Sequence, residues 1–203
     1  YKSPANFVKN LNINSNVNDY LKSINLKPEI LSLSDKTISR AEQLCKKTNQ
    51  FNLRTIRHSE TDLNKIKKKN NDFVFLVKLV DDYGDHGIVS LICLEKINKD
   101  LLFLNTFLMS CRVIGRYLES WILFKIFNIA KKYKFNFLIA EFKNSGKNNI
   151  AEKFLKEQKF ISISKNLQIK KIIEKSNLDI DSSTFYLDIK KTKIKNLDIY
   201  EKK

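Results

Sequence analysis

Ser110-Cys111-Arg112-Val113-Ile114-Gly115-Arg116 lies between a strand-like apolar run, Leu101 to Met109, and a long apolar run with helical spacing. A Gly-containing turn that ends a strand and opens a helix aims unpaired backbone N–H groups and partial positive charge at one point, which makes it an anion-binding turn. Gly115 lets the backbone approach closely, and Arg112 and Arg116 add charge-assisted donors. With a single glycine, the same spacing also fits an ordinary strand-to-helix turn with two solvated arginines.

On the C-terminal side of the turn, Leu118, Trp121, Ile122, Ile126, Ile129 and Tyr133 recur at helical spacing. Leu123, Phe124 and Phe127 widen that stripe, so this helix is expected to be the best buried. On the N-terminal side, three β-branched and aromatic runs, 73–80, 87–94 and 101–109, are separated by turn text and predict an antiparallel meander. They are apolar at both parities, so helices should cover both faces of the sheet.

Further upstream, Glu29 to Leu33 reads as a short strand and Ser34-Asp35 as the cap of a helix through Ile38, Ala41, Leu44 and Cys45. That helix runs into Lys47-Thr48-Asn49-Gln50-Phe51-Asn52-Leu53-Arg54, dense in uncharged hydrogen-bonding groups of the kind that orient a small polar substrate. Such Asn-rich text is more commonly a polar helix end with turn chemistry. Ser59 to Asp62 reads as a capping box opening a lysine-rich helix. Downstream, a strand over 135–142, a loop over 143–148, a helix over 149–158 and two last strands, 160–164 and 184–189, complete the chain. Residues 1–27 are expected to be a linker from an upstream domain, with one short helix; 28–190 to be the domain; and 191–203 a peripheral tail.

With 203 residues, 42% of them hydrophobic, the chain can bury one substantial core. The net charge of +16 comes from 33 lysines and only 5 arginines, spread along the chain, which points to a solvated surface with affinity for an acidic partner rather than to nucleic acid. Arg54, Arg57, Arg112 and Arg116 fall in two short stretches and Arg40 stands alone. Guanidinium forks kept in a lysine-rich chain point to fixed anion geometry. Cys45, Cys93 and Cys111 form no Cys-x-x-Cys pair, so neither a disulfide framework nor a metal site is expected. No run is long enough to span a bilayer or reads as a signal peptide, and a cytoplasmic location is expected.

The order of elements resembles the GCN5-related N-acetyltransferase (GNAT) fold, an α/β (α+β) architecture with a mixed, mostly antiparallel sheet flanked by helices on both faces. In that family the turn Gln/Arg-x-x-Gly-x-Gly/Ala binds the pyrophosphate of coenzyme A. The resemblance places Arg112, Val113, Ile114, Gly115, Arg116 and Tyr117 in that role, with Tyr117 departing from the pattern. A second pattern is matched by Asn148, Ala151 and Phe160, while Leu155 stands where the family commonly carries a tyrosine acid.

A closer resemblance joins the remaining blocks. Residues 47–53, Asp82-Tyr83-Gly84-Asp85-His86-Gly87-Ile88-Val89, and 110–116 with Glu119 together resemble the C-terminal domain of FkbH-like proteins. The resemblance implies an acyltransferase that moves a glyceryl-like group to or from the phosphopantetheine thiol of an acyl carrier protein. It also implies a phosphatase domain of the haloacid-dehalogenase type upstream in the same polypeptide; no Asp-x-Asp-x-Thr motif of that domain is present in this chain. Cys111, before an arginine at a helix start, is the candidate nucleophile. His86 is the candidate base, Asn49, Gln50, Asn52 and Arg54 are candidate substrate ligands, and Asn148 joins the turn as a cofactor ligand. The cofactor is coenzyme A or carrier-bound phosphopantetheine. Two other readings stay open: an acetyl-CoA-dependent N-acetyltransferase acting on an amine or amino sugar, and a non-catalytic module that docks the carrier.

Overall fold

The structure, a computed structural model, describes residues 17–176, 178 and 183–200. Helix α1 (Val17–Ser23) leads into β1 (Lys27–Ser32), then α2 (Ile38–Lys47), β2 (Phe51–Asn52) and α3 (Glu60–Asn70). The three predicted strands follow as β3 (Val74–Asp81), β4 (Gly84–Lys96) and β5 (Leu101–Met109). After the turn come α4 (Leu118–Lys132), β6 (Phe137–Glu141), α5 (Asn149–Glu157), β7 (Ile161–Ser162), α6 (Leu167–Glu174) and β8 (Thr184–Asp188).

These strands form one mixed sheet in the order β1-β3-β4-β5-β6-β8-β7, with β2 paired to β5 off that path. Only β5 and β6 run parallel, as a strand–helix–strand crossover through α4 requires. Both parities of the central strands are apolar because each feeds a different core. Phe75, Val77 and Leu79 of β3 pack with α1, α4 and α5, whereas Val74 and Leu76 pack with α2 and α3. A third cluster joins Phe103 and Ile139 to Ile169 and Ile173 of α6.

Several elements sit differently from the sequence reading. The packed body begins before Pro28: Tyr20, Leu21, Ile24 and Leu26 are buried in the main cluster, and the rest of the predicted linker, 1–16, lies outside the described residues. At the other end, Tyr200 is buried and Ile194, Leu197 and Ile199 pack against the same core, so the predicted peripheral tail covers the start of α4; 201–203 lie outside the described residues. Apolar residues scattered among Asn and Lys are enough to dock a short segment when a ready-made apolar surface lies beside it. The six-residue loop expected at 81–86 is a two-residue turn, Asp82-Tyr83, with the strands running up to it. β2 and α6 were not foreseen, because two residues carry no periodicity and an eight-residue helix carries little.

One detail of the sheet bears on the site. Lys78 pairs with Ile88 but Val80 with Asp85, so β4 carries one extra residue around His86-Gly87, a β-bulge. Gly87 has φ +66°, which accommodates it.

Candidate functional site

β5 ends at Met109, and Ser110 still pairs with the sheet through its N–H to Val89 O at 2.7 Å. The chain then makes a 3₁₀ turn over Cys111–Val113, buries Val113, half-buries Ile114, swings through Gly115 at φ +88° and reaches Tyr117 at φ +54° before α4 starts. Two successive left-handed positions two residues apart re-aim the chain from sheet to helix, and only the first has the residue that adopts this conformation freely.

The two arginines of the turn have different fates. Arg116 is 2% exposed; its Nε donates to Asp81 Oδ2 at 2.8 Å and its Nη1 to Arg112 O at 3.0 Å, while its own carbonyl accepts from Tyr200 Oη at 2.7 Å. Arg112 is exposed and, among the described residues, reaches only Ser110 Oγ and His86 O, each at 3.4 Å. The bulge turns the His86 ring toward Asp81, with Nε2 2.9 Å from Oδ1, near enough for an ion pair when protonated although not aligned as a hydrogen bond. Burial alone would raise the Asp81 carboxyl, but His86 and Arg116 outweigh it and hold Asp81 below the usual carboxylate range. The turn is thus stapled to the β3–β4 hairpin through a buried charge cluster.

Cys111 is exposed at the tip of this assembly. The other two cysteines are buried among apolar side chains, and burial pushes their thiols up, Cys45 to about 11 and Cys93 to about 12. The chain therefore presents one thiol to solvent, beside Arg112.

Asn52, Arg54 and Asn148 come together, but they bind one another's surroundings rather than an open cleft. The parallel pairing of β5 with β6 covers only Leu101–Leu104, and beyond it the two strands part. Into that gap the chain inserts β2: Phe51 and Asn52 pair with Met109 and Leu108, Leu53 N–H donates to Phe107 O at 3.1 Å, and Lys143 N–H donates to Leu53 O at 2.8 Å. Phe51 packs edge-on against Phe107 and Phe154. Asn148, fully buried, donates to Asn52 O at 2.8 Å and Lys143 O at 2.9 Å and accepts from Ser145 N–H at 2.9 Å. The Asn52 amide bonds Thr48 O and Thr55 N–H. Arg54 pairs with Glu141 at 2.7 Å, donates to Asn105 O and lies over the Phe103 ring. Asn49 and Gln50 stay exposed, Asn49 holding Arg57. His58 is buried against Thr106, and burial lowers its pKa.

Outside this clasp a cavity of about 250 Å³ lies between the start of α4 and α5, lined by Phe51, Tyr117, Glu119, Ser120, Lys153 and Glu157 among others. Glu119 went unassigned in the sequence reading. Its carboxyl takes its own backbone N–H in the first turn of α4, one oxygen is buried without a partner, and burial, with Glu157 adding to it, raises its pKa. Leu155, where the resembled family has its acid, is fully buried in the core. The donor set at the α4 N-terminus is a poor match for a pyrophosphate, since Arg116 is neutralised by Asp81 and the Glu119 carboxyl occupies its own N–H in the first turn. Among the described residues no group of three His, Cys, Asp or Glu is placed to hold a metal, and no helix is long and apolar enough to cross a membrane.

No protein-family model matches the sequence, and no curated protein sequence matches it. Solved structures do. An acetyltransferase of the GNAT family from Staphylococcus aureus Mu50 superposes with a TM-score of 0.59 at 13% identity, covering 80% of this chain and 99% of that one. Ard1 from Thermoplasma volcanium gives 0.56 at 12% identity over 79% and 97% of the two chains. A Mycobacterium tuberculosis protein solved in complex with CoA gives 0.54 at 11% identity over 79% and 98%. The chain has the GNAT fold; at these identities the likeness is one of architecture.

Proposed function

We propose that this chain is an acyltransferase that carries its acyl group covalently on Cys111 and exchanges it with the phosphopantetheine thiol of an acyl carrier protein. The observation that carries the reading is the exposed Cys111 at the turn opening α4, next to Arg112, in a chain whose other thiols are buried. The fold, shared with acetyltransferases, supports acyl transfer in general. The blocks that resemble FkbH-like proteins support the carrier-linked form and an upstream phosphatase-type domain that prepares a glyceryl-like group.

The chemistry balances without an external acid. The Cys111 sulfur attacks the acyl carbonyl, the new S–C bond replaces the bond to the leaving group, and the departing group takes the proton that the thiol lost. In the second half the carrier thiol attacks acyl-Cys111 and the proton returns to Cys111. No tyrosine donor is needed, which agrees with Leu155 in the core.

One observation weighs against the N-acetyltransferase reading. The α4 N-terminus, where the Glu119 carboxyl takes its own N–H, is a poor seat for coenzyme A's pyrophosphate.

Incubating the chain with acyl-loaded carrier and weighing the intact protein tests the proposal. The wild type should gain one acyl group on Cys111, and Cys111→Ala should gain none and transfer slower by about a thousandfold or more. Full transfer by Cys111→Ala would remove the covalent reading. Carrier binding without transfer by either protein would leave the docking module.

A further inference from the structure

The bulge at His86-Gly87 leaves the sheet ladder interrupted, and two guanidiniums from different elements close on it. Arg40, on α2, donates from Nε and Nη2 to Ile88 O at 3.1 and 3.0 Å and from Nη1 to Gln43. Arg112, in the turn, reaches His86 O at 3.4 Å. The carbonyls are two residues apart, so the two cations are held as neighbours.

Neither has a carboxylate within ion-pair distance among the described residues. The acids nearby are already engaged. Asp81 is held by Arg116 and His86, Asp85 by Lys78 at 2.9 Å, and Glu42, on Arg40's own helix, by Lys46 at 2.9 Å. Burial chiefly, with the charge of Arg112 adding to it, lowers the pKa of Arg40. Carbonyl caps alone need a single fork; a second, uncompensated cation is unfavourable unless an anion is shared between them. The space at the bulge is open: a Cβ added to Gly87, which lies between His86 and Ile88 in the chain, would meet nothing within 4 Å. The thiol of Cys111 is exposed one residue from Arg112.

We infer that Arg40 and Arg112 form a phosphate subsite across the Gly87 bulge, beside Cys111. Its ligand is the phosphate of the molecule that brings or takes the acyl group, either a small phosphorylated acid or the phosphopantetheine arm. That assignment of the ligand rests on the acyl-Cys111 reading above; phosphate binding itself does not.

Calorimetric titration of the 203-residue chain at fixed ionic strength with inorganic phosphate, 3-phosphoglycerate and phosphopantetheine tests it. Saturable binding is expected, weakened at least about tenfold by Arg40→Gln and by Arg112→Gln. Lys99→Gln, which removes one charge at the far β4–β5 turn, should leave it unchanged; circular dichroism confirms that each variant is folded. Tighter binding of 3-phosphoglycerate assigns the subsite to a phosphorylated acid, and tighter binding of phosphopantetheine to the arm. Absence of binding, equal binding by Arg40→Gln, or equal weakening by Lys99→Gln would each overturn the subsite. Because no transfer is measured, the subsite and the covalent reading fail separately.

Discussion

Glu119 shows how much one side chain decides. It sits in the first turn of α4, where a carboxylate is favoured by the helix dipole, yet it is largely buried and one oxygen has no partner. Burial raises its pKa in the folded chain, and Glu157 adds to the effect, while its own N–H opposes it; the Tyr200 hydroxyl in turn feels the Glu119 charge. A raised carboxyl makes the folded state hold its proton more tightly than the unfolded one, so this group favours folding at acid pH and loses that advantage as pH rises above the unfolded pKa. Glu119→Gln should therefore raise the Tm at pH 7 to 8 and give no gain near pH 4, as scanning calorimetry at the two pH values would show. An equal gain at both would mean that ionisation of Glu119 is not what costs stability. Asp81 works in the opposite sense. Its lowered pKa contributes stability above the unfolded carboxylate pKa that is lost as pH falls through the folded value.

At the scale of elements, β2 is the piece that changes the reading of the site. Two residues paired to β5 would be negligible alone, but Phe51 anchors them in an aromatic cluster and Asn148 bonds across to Asn52 O and Lys143 O. The clasp holds the parting of β5 and β6 closed from inside. Asn148→Ala would leave two carbonyls and the Ser145 N–H without partners and should destabilise the chain by about 2–4 kcal/mol in urea unfolding. Hydrogen exchange should show protected Leu53 and Lys143 amides in the wild type and rapid exchange at both in the variant. Continued protection would show that Phe51 alone seats β2. None of this was legible in residues 47–54, whose Asn and Gln read as ligands or, more commonly, as a helix end. By contrast Ser59 to Asp62 does what its spacing predicts: Asp62 Oδ2 accepts from Ser59 N–H at 3.0 Å and Oγ at 2.7 Å, a capping box closed within four residues.

At the scale of the molecule, the +16 charge is carried mostly by exposed lysines and frames the proposed partner. Exposed charges at this density steer an acidic carrier over distances comparable to the Debye length, about 10 Å at 0.1 M salt. Carrier association should slow by about tenfold or more between 50 and 500 mM salt, read by stopped-flow fluorescence; a salt-independent rate would remove the lysine surface from docking. The sequence by itself determined the layers: strands apolar at both parities required helices on both faces, and the stripe from Leu118 to Tyr133 required the helix that follows the turn. It also marked the arginines as unusual in a lysine-rich chain. Which arginine is neutralised and which is left with its charge uncompensated was decided only by the tertiary structure, because Asp81 meets Arg116 across 35 positions and Asn148 meets Asn52 across 96. Periodicity fixes the face on which a side chain lies, and the partner waiting on that face is set by how the elements pack.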